Sequence, residues 1–237
     1  MQFTYVNPTV IHFGQGQINA ISQAVDTSKK VLVIYGGGSI KSNGVYDQVV
    51  ASLKDHAWIE FAGVEANPTK ETLDKAVALV KEENVEFIIA VGGGSVIDGS
   101  KYVAAAAKYD GDGWDILAGK HQVTEATPIG AVLTLPATGS ESNMGAVITR
   151  KETQEKLAFL SPFVQPKFAV MDPDVMKTLP DRQLVNGVVD AWVHVCEQYI
   201  TTTNNAYVQD GYSEALLRSL LKLGRDFENR DNGEWRA

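Results

Sequence analysis

Cysteine is nearly absent: Cys196 stands alone among 237 residues, so no intrachain disulfide can form and nothing marks a cross-linked secreted scaffold. Dense clusters of Lys and Arg are missing too, and the formal charge is -8. Affinity for a phosphate backbone rests on basic side chains that neutralise it, so nucleic acid is not an expected partner. The opening MQFTYVNPTVIHFG lacks the basic, apolar, then small-residue layout of a signal peptide, and no apolar run approaches the roughly 20 residues of a membrane span. These gaps point to a cytoplasmic chain with no membrane partner. Low-complexity segments are absent, and the only internal echo is a pair of GGGS runs whose flanks differ too much for a duplicated unit.

What is present is enough apolar material, 44% of residues, to bury a substantial core in one or two domains. The run VLVIY (31–35) is β-rich and stops at Gly36-Gly37-Gly38-Ser39, which reads as a buried strand ending in a turn. From Thr69 onward, Leu73, Ala76, Val77 and Val80 follow the three-and-four spacing of a helix with one buried face. VEFIIAV (85–91) is a second buried strand, again followed by three glycines and a serine, Gly92 to Ser95. Strand, helix, strand, helix in this order implies a parallel sheet with helices on its faces. IGAVLTLPAT (129–138) and KFAVMDP (167–173) read as later strands closed by proline-containing turns.

After Leu179-Pro180 the texture turns helical. Asp181 suits a helix cap, and residues 182–200 carry apolar side chains nearly all round, which predicts a buried helix. A second helix is expected over 206–224, beyond a polar break from Thr201 to Asn205. The domain boundary is therefore placed near Leu179.

Consecutive glycines at a strand end let the backbone turn sharply and bring bare N–H groups to the start of the next helix, where phosphate oxygens are favoured. Gly92-Gly93-Gly94-Ser95-Val96-Ile97-Asp98 fits that geometry, although it is not G-x-G-x-x-G and would equally serve a plain strand-to-helix turn. The hydroxyl-rich loop Thr138-Gly139-Ser140-Glu141-Ser142-Asn143 follows another strand, so polar loops would gather on one edge of the sheet, where open parallel sheets bind ligands. Taken alone, that loop also fits a solvated turn. Asp190 and His194 stand one helical turn apart, a spacing that lets both grip one divalent cation and that also fits a simple hydrogen-bonded pair. Cys196 points away from that face and is assigned to packing.

With GGGSVIDGSK, LTLPATGSESN and NGVVDAWVHVCEQY in this order, the chain resembles the iron-containing (group III) alcohol dehydrogenase family, nearest its NADPH-dependent butanol dehydrogenase branch of broad-substrate aldehyde reductases. The resemblance extends over nearly the whole chain from VIHFGQG onward. It implies a Rossmann-like α/β domain (1–179) followed by an all-helical domain (180–237, incomplete), the dehydroquinate synthase-like architecture, with cofactor and metal in the cleft between. It also implies pyrophosphate contacts from Gly93, Gly94, Ser95 and Asp98, with Thr138, Ser140, Asn143 and Lys156 along the rest of the cofactor path and Asn67 near the adenosine.

NAD-preferring relatives carry an Asp after the first of these strands to bind the ribose 2′-hydroxyl. Here Gly37, Gly38 and Ser39 occupy that place, with Lys41 close by, so NADP(H) is the expected cofactor. Asp190 and His194 match the first two ligand positions of the family's metal, iron or zinc, through which they would act in catalysis. A small aldehyde or alcohol substrate and a homodimer formed through the first domain follow from the same resemblance. The departure lies after His194: the family supplies two further histidines from later helices, and this chain has none there. His12, His56 and His121 do not match the ligand pattern. Three readings therefore stand side by side: a metal-assisted aldehyde reductase in incomplete form, a non-catalytic dinucleotide-binding fragment, or altered chemistry as in the related glycerol dehydrogenases and dehydroquinate synthases.

Overall fold

The structure, a computed structural model, describes residues 2, 4–201 and 205–230. Two compact units divide the chain, one through Asp172 and one from Pro173 onward, so the division falls ahead of Leu179.

In the first unit the strands are β1 (Val10–Phe13), β2 (Val31–Tyr35), β3 (Trp58–Phe61), β4 (Phe87–Gly93), β5 (Ile129–Leu135), β6 (Gly145–Arg150), β7 (Glu155–Leu160) and β8 (Phe168–Met171). Its helices are α1 (Ile21–Ala24), α2 (Ser39–Ser42), α3 (Val45–Ser52), α4 (Lys70–Glu82), α5 (Gly94–Ala106) and α6 (Trp114–Leu117). Six strands form one sheet in the order β1-β8-β5-β4-β2-β3, and every pairing in it is parallel. All five residues of β2 are buried, as a sheet covered on both faces demands. Each fully buried Ile or Val, such as Ile34, Ile88 and Ile89, contributes about 1.5–3 kcal/mol by leaving water.

The chain runs from β2 outward to β3, then returns to place β4 on the other side of β2 and continues to β5. Strand order thus reverses between β2 and β4. In open parallel sheets the crevice outside the carboxyl ends of two such strands is where ligands bind. Both expected glycine runs sit there, one following β2 and one spanning the end of β4 and the start of α5. The remaining strands, β6 and β7, pair antiparallel as a separate hairpin.

The second unit holds α7 (Asp181–Tyr199) and α8 (Tyr207–Arg225). The expected helices are present, but the expectation that the first is buried all round is corrected: no residue of α7 is buried, and Val185, Val189 and Val193 are 42%, 55% and 41% exposed. Two helices can cover only one stripe of each other, so the remaining apolar side chains face outward. The helix cap position is Pro180, with Asp181 in the first turn, where Arg230 grips its carboxylate at 2.7 and 2.8 Å. Among the described residues, no helix is long and apolar enough to cross a membrane.

Candidate active site

Loops leave the carboxyl ends of β2, β4 and β5, which are neighbours in the sheet, so all of them open on one edge. After β2 the backbone enters Gly38 at φ 99°, a left-handed conformation that favours glycine, and Ser39 then opens α2 with its side chain exposed. No carboxylate stands in this turn. Lys41 lies 3.6 Å from Glu60 and over the rings of Tyr35 and Tyr46, so its charge is already engaged.

Gly93, the last residue of β4, is the extended cap of α5, a helix of 13 residues whose first-turn amides have no partner within the helix. Anions are stabilised at such an end by both the N–H groups and the helix dipole. Gly94 is held tightly: a Cβ there would lie 2.5 Å from Thr138 Oγ1 and 2.9 Å from its Cγ2. The glycine run thus does two things, baring amides and letting the loop after β5 lie against the helix start.

Asn67 follows β3 in a left-handed conformation, φ 56°. Its N–H faces Ser95 Oγ at 3.4 Å, and its Oδ1 accepts from Lys156 Nζ at 2.8 Å. Three residues named on family grounds are therefore brought together from the loop after β3, the head of α5 and strand β7. The hairpin is tied to the same loop twice more, by Thr149 N–H donating to Pro68 O at 2.9 Å and by Lys151 Nζ donating to Glu65 Oε1 at 2.9 Å. Burial alone would raise the Glu65 carboxyl, but hydrogen bonds from Lys151, its own backbone, Thr69 and Thr72 outweigh it and hold the group down at about 2.

Asp98 is oriented inward. Its Oδ1 accepts from Ser140 Oγ at 2.5 Å and its Oδ2 from the Val147 N–H at 3.0 Å, so both oxygens anchor neighbouring chain. Beside it lies a residue that sequence reasoning passed over: Lys101, fully buried, donates to Ser140 Oγ at 2.9 Å, Asn143 Oδ1 at 2.9 Å and Gly145 O at 2.8 Å. Burial pushes its ammonium down to about 8, against the opposing influence of the Asp98 and Glu141 carboxylates. The available signal was a lone lysine in the apolar helix SVIDGSKYVAAAA, three residues beyond Asp98. Asp98, Thr138, Ser140 and Asn143 line a cavity of about 460 Å³ together with apolar residues that include Phe159 and Leu160.

In the second unit, Asp190 Oδ1 and His194 Nε2 stand 3.7 Å apart on α7, each about half exposed. A carboxylate and an imidazole suit a divalent ion, yet among the described residues no group of three His, Cys, Asp or Glu is arranged to hold one.

A parallel sheet with helices and glycine turns at its switch point, followed in the chain by a helical unit, is the α/β architecture against which known proteins can be compared. The profile of the family described as iron-containing alcohol dehydrogenase matches residues 8–173, and the chain belongs to that family. It is 49% identical to the NADPH-dependent aldehyde reductase YqhD of Escherichia coli over 99% of its own length and 63% of that protein's. With the probable NADH-dependent butanol dehydrogenase 1 of Bacillus subtilis it shares 50% identity over 96% of its length and 60% of the relative's. The crystal structure of NADH-dependent butanol dehydrogenase A from Thermotoga maritima superposes with a TM-score of 0.94 at 45% identity, covering 100% of this chain and 60% of that one. The chain thus spans less than two thirds of the length of these relatives.

Proposed function

We propose that this chain supplies the dinucleotide site and the first two metal ligands of an NADPH-dependent alcohol dehydrogenase that interconverts small aldehydes and primary alcohols by hydride transfer. The observation that carries the reading is the meeting of Asn67, Ser95 and Lys156 beside the glycine-headed helix α5 at the sheet's switch point. Gly93, Gly94 and Ser95 offer amides and a hydroxyl to the pyrophosphate, Asn67 and Lys156 flank them, and Thr138 and Asn143 line the path onward. Asp98 serves by anchoring Ser140 and β6.

NADP(H) is favoured over NAD(H) because the turn after β2, Gly37-Gly38-Ser39, holds no carboxylate to repel a 2′-phosphate and presents an exposed hydroxyl that can donate to one. The names of the relatives include both cofactors, so this choice rests on the turn itself. Asp190 and His194 would hold iron or zinc, and a divalent ion bound there supplies a Lewis acid for the substrate oxygen. A homodimer formed through the first unit belongs to the same reading.

The test combines NADPH fluorescence titration, oxidation of NADPH with butanal, and metal content by elemental mass spectrometry, with Asp190→Ala/His194→Ala as control. About one metal per chain that the control lacks, together with turnover, supports the reductase. Cofactor binding without metal or turnover favours a second reading, a dinucleotide-binding fragment, which the absence of a three-ligand group among the described residues makes specific.

A further inference from the structure

We propose that Lys101 is the positioning residue that fixes the 138–145 loop in the shape a dinucleotide requires, an inference that rests on the reading above. An ammonium has three N–H donors and no acceptor. Ser140 Oγ, Asn143 Oδ1 and Gly145 O accept from it at 2.9, 2.9 and 2.8 Å, so donors and acceptors match one for one. Burying such a charge is costly, and the rest of α5 from Tyr102 to Ala106 is buried and apolar, so an apolar residue at 101 would have packed at lower cost. The lysine contributes geometry instead.

Two consequences reach the mouth of the site. Ser140 accepts from Lys101 and donates to Asp98 Oδ1 at 2.5 Å, so its hydroxyl rotor is set and its proton is committed inside the fold. Asn143 must turn its oxygen to Lys101, because an ammonium cannot accept. Its Nδ2 is therefore turned the other way on an exposed residue, where one N–H reaches Thr138 O at 3.4 Å and the second is presented to a carboxamide, ribose or phosphate oxygen. Without Lys101 the orientation of the amide is left to the Gly145 N–H, which donates to Oδ1 at 3.0 Å, and the loop loses three anchors within six residues.

The experiment compares the wild-type 237-residue chain with Lys101→Met, using hydrogen exchange by mass spectrometry and NADPH titration, both well below the melting midpoint. Leu53→Ala, at a fully buried position outside the site, is the control for general destabilisation. Lys101→Met is expected to speed amide exchange in 138–145 and to weaken NADPH binding, each by about tenfold or more, whereas Leu53→Ala lowers the midpoint and does neither. Wild-type exchange across 138–145 in Lys101→Met would overturn the proposal, and so would equal loosening in the control. Should Lys101→Met not fold, Lys101→Gln, with two donors on a shorter arm, takes its place with the same outcomes. A wild-type chain that takes up no NADPH would overturn the dinucleotide reading, while the exchange comparison still decides whether Lys101 holds the loop.

Discussion

Lys156 Nζ donates to Asn67 Oδ1 over 2.8 Å, so strand β7 of the hairpin is fastened to the loop after β3. The partners are 89 residues apart in sequence, and Asn67 is itself in a left-handed conformation that needs support. Removing the amine by Lys156→Ala is expected to weaken NADPH binding about 3- to 10-fold, the usual worth of one exposed charge-assisted hydrogen bond, with little change in melting temperature. Fluorescence titration beside a thermal scan checks both parts.

Gly94→Ala tests close packing at the head of α5. Its methyl group would sit 2.5 Å from Thr138 Oγ1, so either the helix start or the loop must move. A loss of about 1–3 kcal/mol in urea unfolding is expected, along with weaker NADPH binding. Unchanged stability and affinity would show that the loop is not seated against the helix.

Acid stability should respond to Glu65. Its carboxyl is held at about 2 in the folded chain against an ordinary value of 4.5, so the unfolded chain binds more protons between those limits. Its contribution is complete above about pH 4.5 and is lost as the pH falls toward about 2. Glu65→Gln is expected to flatten the acid limb of a stability-against-pH profile and leave its slope near neutrality as it was. An acid limb of unaltered steepness would count against this account.

On α7, Val189 is 55% exposed, so Val189→Lys in this 237-residue chain is expected to alter stability by no more than about 0.5 kcal/mol. A loss of several kcal/mol would mean that the side chain is covered in solution.

Strong periodicity made much of the fold legible. The all-apolar run at 31–35 coincides with β2, and the three-and-four spacing from Thr69 marks α4, because burial on both faces or on one stripe leaves a plain trace in sequence. The hairpin left none: GAVITR and EKLAFL are short and mixed, and their pairing is set by contacts with distant loops. WIEF in β3 was equally silent. In the site, glycines and hydroxyls announced themselves by clustering, whereas Lys101 looked like any helix lysine, since burial of a charge depends on acceptors supplied from residues 140–145. The Asp190–His194 spacing was readable from the helix period alone; what else surrounds the pair was not.

Among the described residues β1 is an edge strand whose one strand neighbour is β8, with Val10 opposite Phe168. During synthesis the segment must therefore wait until nearly the whole first unit has left the ribosome before it finds its partner. Local contacts can form β2, α4 and β4 early, but the sheet's last ladder closes a loop of great length, which is slow. Until then the edge of β8's neighbour β5 and the apolar Val10, Ile11 and Phe13 are open to pairing with other chains, so misassembly of this protein should be governed by its first strand and its timing.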